Sequence, residues 1–167
     1  NEDGRFWVVQ NGEIYNYPEL AIELRSLGHE LATQSDTEVL VHAFEEWGPR
    51  FLDRLNGEFS LAIYDTHTKH VFLARDRFGI RPLFIGDFGG EFVFASEVKA
   101  LLRHPEAERA IDPYALIETF RLWSVLPDRS AFPGIRELPP GHYLHIDGSG
   151  ARKCIRWWDL EFAPRVG

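Results

Sequence analysis

The stretch Gln10-Asn11-Gly12-Glu13-Ile14-Tyr15-Asn16-Tyr17 places an amide side chain beside a glycine backbone N–H. A strand that stops at such a pair and hands over to a helix can present both donors to a ligand. The same Asn-Gly, set between apolar Phe6-Trp7-Val8-Val9 and Glu13-Ile14-Tyr15-Asn16, is also the best short signal for a two-residue hairpin. Both readings fit the local pattern. Other reactive residue types offer less. A cysteine nucleophile needs a base beside it in a pocket, whereas Cys154 alternates with Lys153 and Ile155 in a strand-like run, which fits small core filler. His67/His70 and His142/His145 are three residues apart, but the first pair falls in a loop and the second on opposite faces of a strand, so no metal site is expected. Asp87-Phe88-Gly89-Gly90 reads as a hairpin turn rather than a phosphate cradle, so ATP has no visible seat.

The elements that must position these groups follow from periodicity and caps. Leu20, Ala21, Leu24 and Leu27 recur at helical spacing after Pro18, and Gly28 stands where a helix ends. Ser35-Asp36-Thr37-Glu38 has the capping-box pattern before Val39, Leu40, Ala43, Phe44 and Trp47, with Gly48-Pro49 as terminator. Asp36 therefore has a ready explanation in the helix cap. A helical turn is predicted over Phe51 to Leu55, then strands over Phe59 to Tyr64 and His70 to Ala74. Arg75-Asp76-Arg77-Phe78-Gly79-Ile80-Arg81-Pro82 is too charged and interrupted for a regular element and fits a salt-bridged loop or a domain interface. Further strands are predicted at Leu83 to Gly86, Glu91 to Ala95, His142 to Ile146 and Lys153 to Trp158, with helices from Ser96 to Leu102 and Asp112 to about Arg121. Pro127, Pro133, Pro139 and Pro140 break the chain between them. Strands and helices arrive in pairs, which favours antiparallel hairpins covered by helices, an α+β layered architecture.

Composition narrows the function classes. The 167 residues are 44% hydrophobic and 14% aromatic, enough for one real core. A formal net charge of -8 argues against binding a phosphate backbone, so no nucleic-acid partner is expected. No apolar run approaches the roughly 18–20 residues that span a bilayer, so no membrane partner is expected either. A single cysteine excludes an internal disulfide and fits a reducing, cytoplasmic location. There is no methionine, at position 1 or elsewhere, and the chain is expected to be a piece of a longer protein or a processed product.

Taken in order, NGEIYNYPEL, SDTEVLVHAFEEWG, RLNGEFSLAIYD, FLARDRFGIRPLF, FASEVKALLRHP and GIRELPPGHYL resemble the glutaminase (class II glutamine amidotransferase) domain of the asparagine synthetase family, over nearly the whole chain. That resemblance implies an N-terminal-nucleophile hydrolase fold, a four-layer αββα sandwich of antiparallel sheets, here incomplete at the N-terminus. Residues 1–160 would be the partial glutaminase domain and 161–167 the start of a linker to a synthetase domain. In the family an N-terminal cysteine attacks the side-chain amide of glutamine, releases ammonia and leaves a thioester. The resemblance assigns the oxyanion hole to the Asn11 amide and the Gly12 N–H, and the substrate ammonium to Glu13 and Asp36. It implies glutamine as ligand, ATP and Mg only in the synthetase domain, that domain of the same chain as partner, and it allows a homodimer. The nucleophile and the arginine that holds the glutamine carboxylate would precede Asn1, so the piece alone is expected to be inactive. A non-hydrolytic scaffold domain, as in β-lactam synthetase-like relatives, is the other reading. Gln10 stands where the family commonly has an aromatic residue and Glu58 where it has an apolar one, so packing is expected to differ there.

Overall fold

A computed structural model describes residues 1–126 and 129–162. Pro127 and residues 163–167 of the expected linker lie outside them. In chain order the elements are β1 (Phe6–Ile14), α1 (Tyr17–Ser26), α2 (Asp36–Trp47), α3 (Phe51–Arg54), β2 (Gly57–Asp65), β3 (Val71–Arg75), β4 (Phe84–Phe88), β5 (Glu91–Ala95), α4 (Val98–Leu101), α5 (Pro113–Leu122), β6 (Ile135–Glu137), β7 (His142–Ile146) and β8 (Arg152–Arg156). Five strands form one sheet in the order β1-β2-β3-β7-β8, and three form a second in the order β5-β4-β6. Every pairing is antiparallel.

Strand alternation sorts the apolar residues into layers. Phe6 and Ile14 of β1, Phe59, Leu61 and Ile63 of β2, and Phe72 and Ala74 of β3 face Leu20, Leu24, Leu40 and Ala43 on α1 and α2. Their neighbours on the opposite face, Ala62, Leu73, Leu144 and Ile146, meet Leu83, Ile85 and Leu138 between the two sheets. Beyond the second sheet, Phe88 and Ile135 pack on Leu101 of α4 and Ala107. The stack is helix, sheet, sheet, helix, as expected, with a thin outer helical layer. Each large side chain buried in full contributes about 1.5–3 kcal/mol.

The Asn11-Gly12 hairpin does not form. β1 runs unbroken through the dipeptide and pairs with β2 from Phe6↔Asp65 to Ile14↔Gly57. Gly12 has φ +134, toward the extended region and far from the roughly +60° that a type I′ turn requires. A Cβ at Gly12 would lie 1.9 Å from the Glu58 carbonyl oxygen, so the close approach of β2 demands glycine here. Nine-residue pairing with a distant strand outweighs the local turn.

Other boundaries shift for identifiable reasons. Asp87 and Phe88 belong to β4, and the turn is only Gly89-Gly90, both at positive φ (58 and 82). The helix expected from Ser96 to Leu102 shortens to one turn, α4. β6, inside the proline-broken stretch, was not anticipated; it exists because it pairs with β4. Cys154 is exposed, not core filler, because β8 is the sheet's outer strand. Glu38 does not close the capping box on Ser35; its carboxylate accepts from the N–H groups of Ala32 and Thr33 at 2.7 Å each.

Candidate active site

β1 is an edge strand, and its two faces and its open edge present different groups. Asn11 lies on the face toward the second sheet, opposite buried Ser60, and lines a cleft of about 270 Å³ with Val9, Ala62, Leu83, Phe94 and Ser96. The second sheet leaves this part of β1 uncovered, so Trp7 and Val9 are 66% and 63% exposed. Glu13 is exposed two residues farther along the same face, in register with Glu58. Glu58 is neutralised by Arg81 at 2.5 Å.

Asp36 reaches the open edge of β1. Its Oδ2 accepts from the Ile14 N–H at 3.1 Å and from Gln10 Nε2 at 3.0 Å. The Tyr15 N–H points the other way, to the Asn56 carbonyl at 2.8 Å. By the alternation of a strand backbone, the Gly12 N–H falls on the same open edge as that of Ile14. Asp36 is not the helix cap: Ser35 takes that role, accepting from the Thr37 N–H at 3.2 Å. The capping-box letters thus divide between two tasks, Ser35 starting α2 and Asp36 tying α2 to β1.

Gln10 is the residue whose part was not legible in the sequence. Its amide donates to Asp36 while its Oε1 accepts from Thr37 Oγ1 at 3.2 Å, so it sets the carboxylate's position. The only signal was its polarity where an aromatic side chain is common. Asn16 acts similarly at the end of the strand, donating to the Arg54 carbonyl at 2.9 Å and accepting from the Asn56 N–H at 2.8 Å.

The Arg75–Pro82 loop is built as structure. Asp76, 1% exposed, accepts from the backbone N–H groups of Phe59 (3.3 Å), Phe78 (3.0 Å), Ile80 (3.1 Å) and Arg81 (3.0 Å). Buried Arg75 donates to the carbonyls of Gly79, Arg81 and Leu138 at 2.7–2.8 Å and pairs with Glu137 at 2.9 Å. Arg77 donates to the Leu55 carbonyl at 2.6 Å, and burial lowers its pKa from the usual guanidinium value. The loop thereby fixes the ends of β2 and β3 beside the cleft.

Cys154 lies on β8, four strands from β1. At about 4.8 Å per strand that is roughly 19 Å across the sheet, out of reach of a ligand at Asn11.

Comparison with known proteins places the sequence and the fold. The sequence profile of a glutamine amidotransferase domain matches residues 1–158. The glutamine-hydrolysing asparagine synthetase 3 of Bacillus subtilis is 40% identical over 157 residues, 93% of this chain and 25% of that protein. Asparagine synthetase 2 of the same organism is 42% identical over 167 residues, 96% of this chain and 22% of that protein. The chain therefore spans about a quarter of the length of these curated relatives. Among solved structures, the glutamine phosphoribosylpyrophosphate amidotransferase of B. subtilis, complexed with ADP and GMP, superposes with a TM-score of 0.64 at 26% identity, covering 95% of this chain and 30% of that one. Layer order, sequence profile and neighbours agree: the chain belongs to the glutamine amidotransferase domain family and has the α+β fold of the N-terminal-nucleophile hydrolases.

Proposed function

We propose that this chain is the glutamine-hydrolysing domain of an ATP-dependent asparagine synthetase-like enzyme, supplying ammonia to an activated carboxylate, with the β-carboxyl of aspartate as the acceptor. The nucleophilic cysteine lies outside the chain, before Asn1, and the chain alone is inactive. Its thiolate adds to the side-chain carbonyl of glutamine. The Asn11 amide and the Gly12 N–H donate to the oxyanion that forms, ammonia leaves as the tetrahedral species collapses to a thioester, and water then releases glutamate. Glu13 and Asp36 hold the substrate ammonium. ATP and Mg²⁺ act in a synthetase domain outside this chain. The residues here do not suit a triphosphate, since Gly89-Gly90 is a hairpin turn and opens no helix.

The observation that carries the reading is the junction at β1. Asn11 lines the cleft between the sheets, and Asp36 is bonded to the adjoining strand edge through Gln10 and Ile14. Among the described residues neither Glu13 nor Asp36 is in an ion pair; Asp36 Oδ2 is engaged by Gln10 and Ile14, which leaves Oδ1, with its long 3.4 Å contact to Thr37, to meet a substrate cation.

The test uses the full-length protein that contains this chain. Asn11→Ala slows glutamine hydrolysis by about 10²- to 10³-fold, as expected for one lost oxyanion donor, and leaves ammonia-dependent synthesis intact. Asp36→Asn raises KM for glutamine. Unchanged hydrolysis in Asn11→Ala removes it from the oxyanion hole; a wild-type protein without glutaminase activity identifies a scaffold domain instead.

A further inference from the structure

We propose that Glu2, His29 and His42 form a binding site for a divalent transition metal of the zinc class. Glu2 precedes β1, His29 follows α1, and His42 sits on α2. One ligand atom from each lies within 4.8 Å of the others. The Nδ1 atoms of the two histidines are 3.2 Å apart, and Glu2 Oε1 is 3.6 Å from His42 Nδ1. Two nitrogens bound to one tetrahedral zinc at about 2.0–2.1 Å are separated by roughly 3.3 Å, so the rings already stand at the chord that a shared ion requires. They are inclined at 77°, edge toward edge, and do not stack.

The outer nitrogen of His29 meets a carboxylate within hydrogen-bond reach, and that of His42 has one just beyond it. His29 Nε2 is 3.1 Å from Glu46 Oε2, and His42 Nε2 is 3.9 Å from Glu38 Oε1. A carboxylate on the far nitrogen is the usual support of a metal-bound imidazole, fixing its tautomer and orientation. A single shared proton would join the two Nδ1 atoms, but it would not use the Glu2 carboxylate, which stands 3.6 Å from His42 Nδ1 as a third ligand. Two imidazoles and one carboxylate match the donors that zinc accepts. A surface cavity of about 460 Å³, lined by Glu2, Glu38 and His42 among others, leaves room for water as the fourth ligand. The ion would clamp the start of the chain to the turn after α1 and to α2, the helix that carries Asp36.

The test strips the whole chain with a chelator and titrates it with Co²⁺ as a spectroscopic probe. One Co²⁺ should bind per chain with tetrahedral visible bands, be displaced by Zn²⁺, and Zn²⁺ should raise Tm. His29→Gln and Glu2→Gln abolish this binding; Glu2 is exposed, so its replacement leaves the fold intact. Glu46→Gln weakens it by about 10- to 100-fold. His145→Gln, which breaks the separate His70–His145 contact at 3.2 Å, leaves it unchanged. Absence of 1:1 binding in the wild type, or wild-type binding in both His29→Gln and Glu2→Gln, overturns the proposal.

Discussion

Replacing Gly12 with alanine probes the feature on which the candidate site depends, the close contact of β1 with β2. The added Cβ would stand 1.9 Å from the Glu58 carbonyl oxygen and 2.8 Å from Phe59 Cα. An ordinary C···O contact is about 3.3 Å, so the strands must part by roughly 1.4 Å at a point where both backbones are held on either side. Forced overpacking costs about 1–3 kcal/mol. An alanine held at φ +134 adds about 1–3 kcal/mol of backbone strain. Together the loss should be about 2–6 kcal/mol, a large share of the 5–15 kcal/mol typical of a domain. For a chain of this length it corresponds to a fall in Tm of about 4–24 °C. Urea denaturation followed by tryptophan fluorescence measures it. Gly28→Ala is the matched control, since Gly28 also has positive φ (+100) but nothing within 4 Å of its Cβ position. It should lose only the strain, about 1 kcal/mol at the low end of that range. If Gly12→Ala costs no more than Gly28→Ala, the strand contact is not what demands glycine, and the account of why β1 passes straight through Asn11-Gly12 fails.

Two further expectations concern the groups that brace the sheet. Arg5 donates to both carboxylate oxygens of Asp65 at 3.2 and 2.8 Å, and this holds the Asp65 pKa far below the usual carboxylate value. A lowered folded pKa means stability that is fully present above the unfolded value near pH 4 and is lost as pH falls toward the folded one. Asp65→Asn should therefore flatten the stability–pH curve below about pH 4, and an unchanged acid limb would refute the assignment. Asp76→Ala strips the acceptor from four backbone amides in a buried loop and should cost at least about 3 kcal/mol in chemical denaturation. A loss under about 1 kcal/mol would mean that the loop holds itself without that carboxylate.

Much of the architecture was legible because its causes are local. The start of α2 is written in Ser35 and the apolar spacing from Val39 to Trp47, and the β2–β3 and β4–β5 hairpins in strand patterns bracketing short polar turns. Antiparallel sheets between helices follow from elements that come in pairs. Where the sequence was ambiguous, the deciding partner was far away along the chain. Asn11-Gly12 carries the same local signal for a turn and for a strand, and β2, about fifty residues on, decided for the strand. β6 has too few residues to announce itself and exists through its ladder with β4. The alternation around Cys154 told that the residue sits in a strand, but not that this strand would be the outermost.

The candidate site divides in the same way. Asn11, Gly12, Glu13 and Asp36 could be named from the resemblance of short segments, since residue identity is all that such a resemblance needs. That Ser35 caps the helix while Asp36 turns to β1, and that Gln10 positions it, depends on atoms brought within about 3 Å from segments some 26 residues apart. His29 and His42 have no metal-binding spacing, and only packing of α2 against the turn after α1 brings their Nδ1 atoms within 3.2 Å. Residue types and periodicity act over a few positions and determine helices, turns and the chemistry available. Burial and strand pairing act across the whole chain, and they alone decide which of those groups meet.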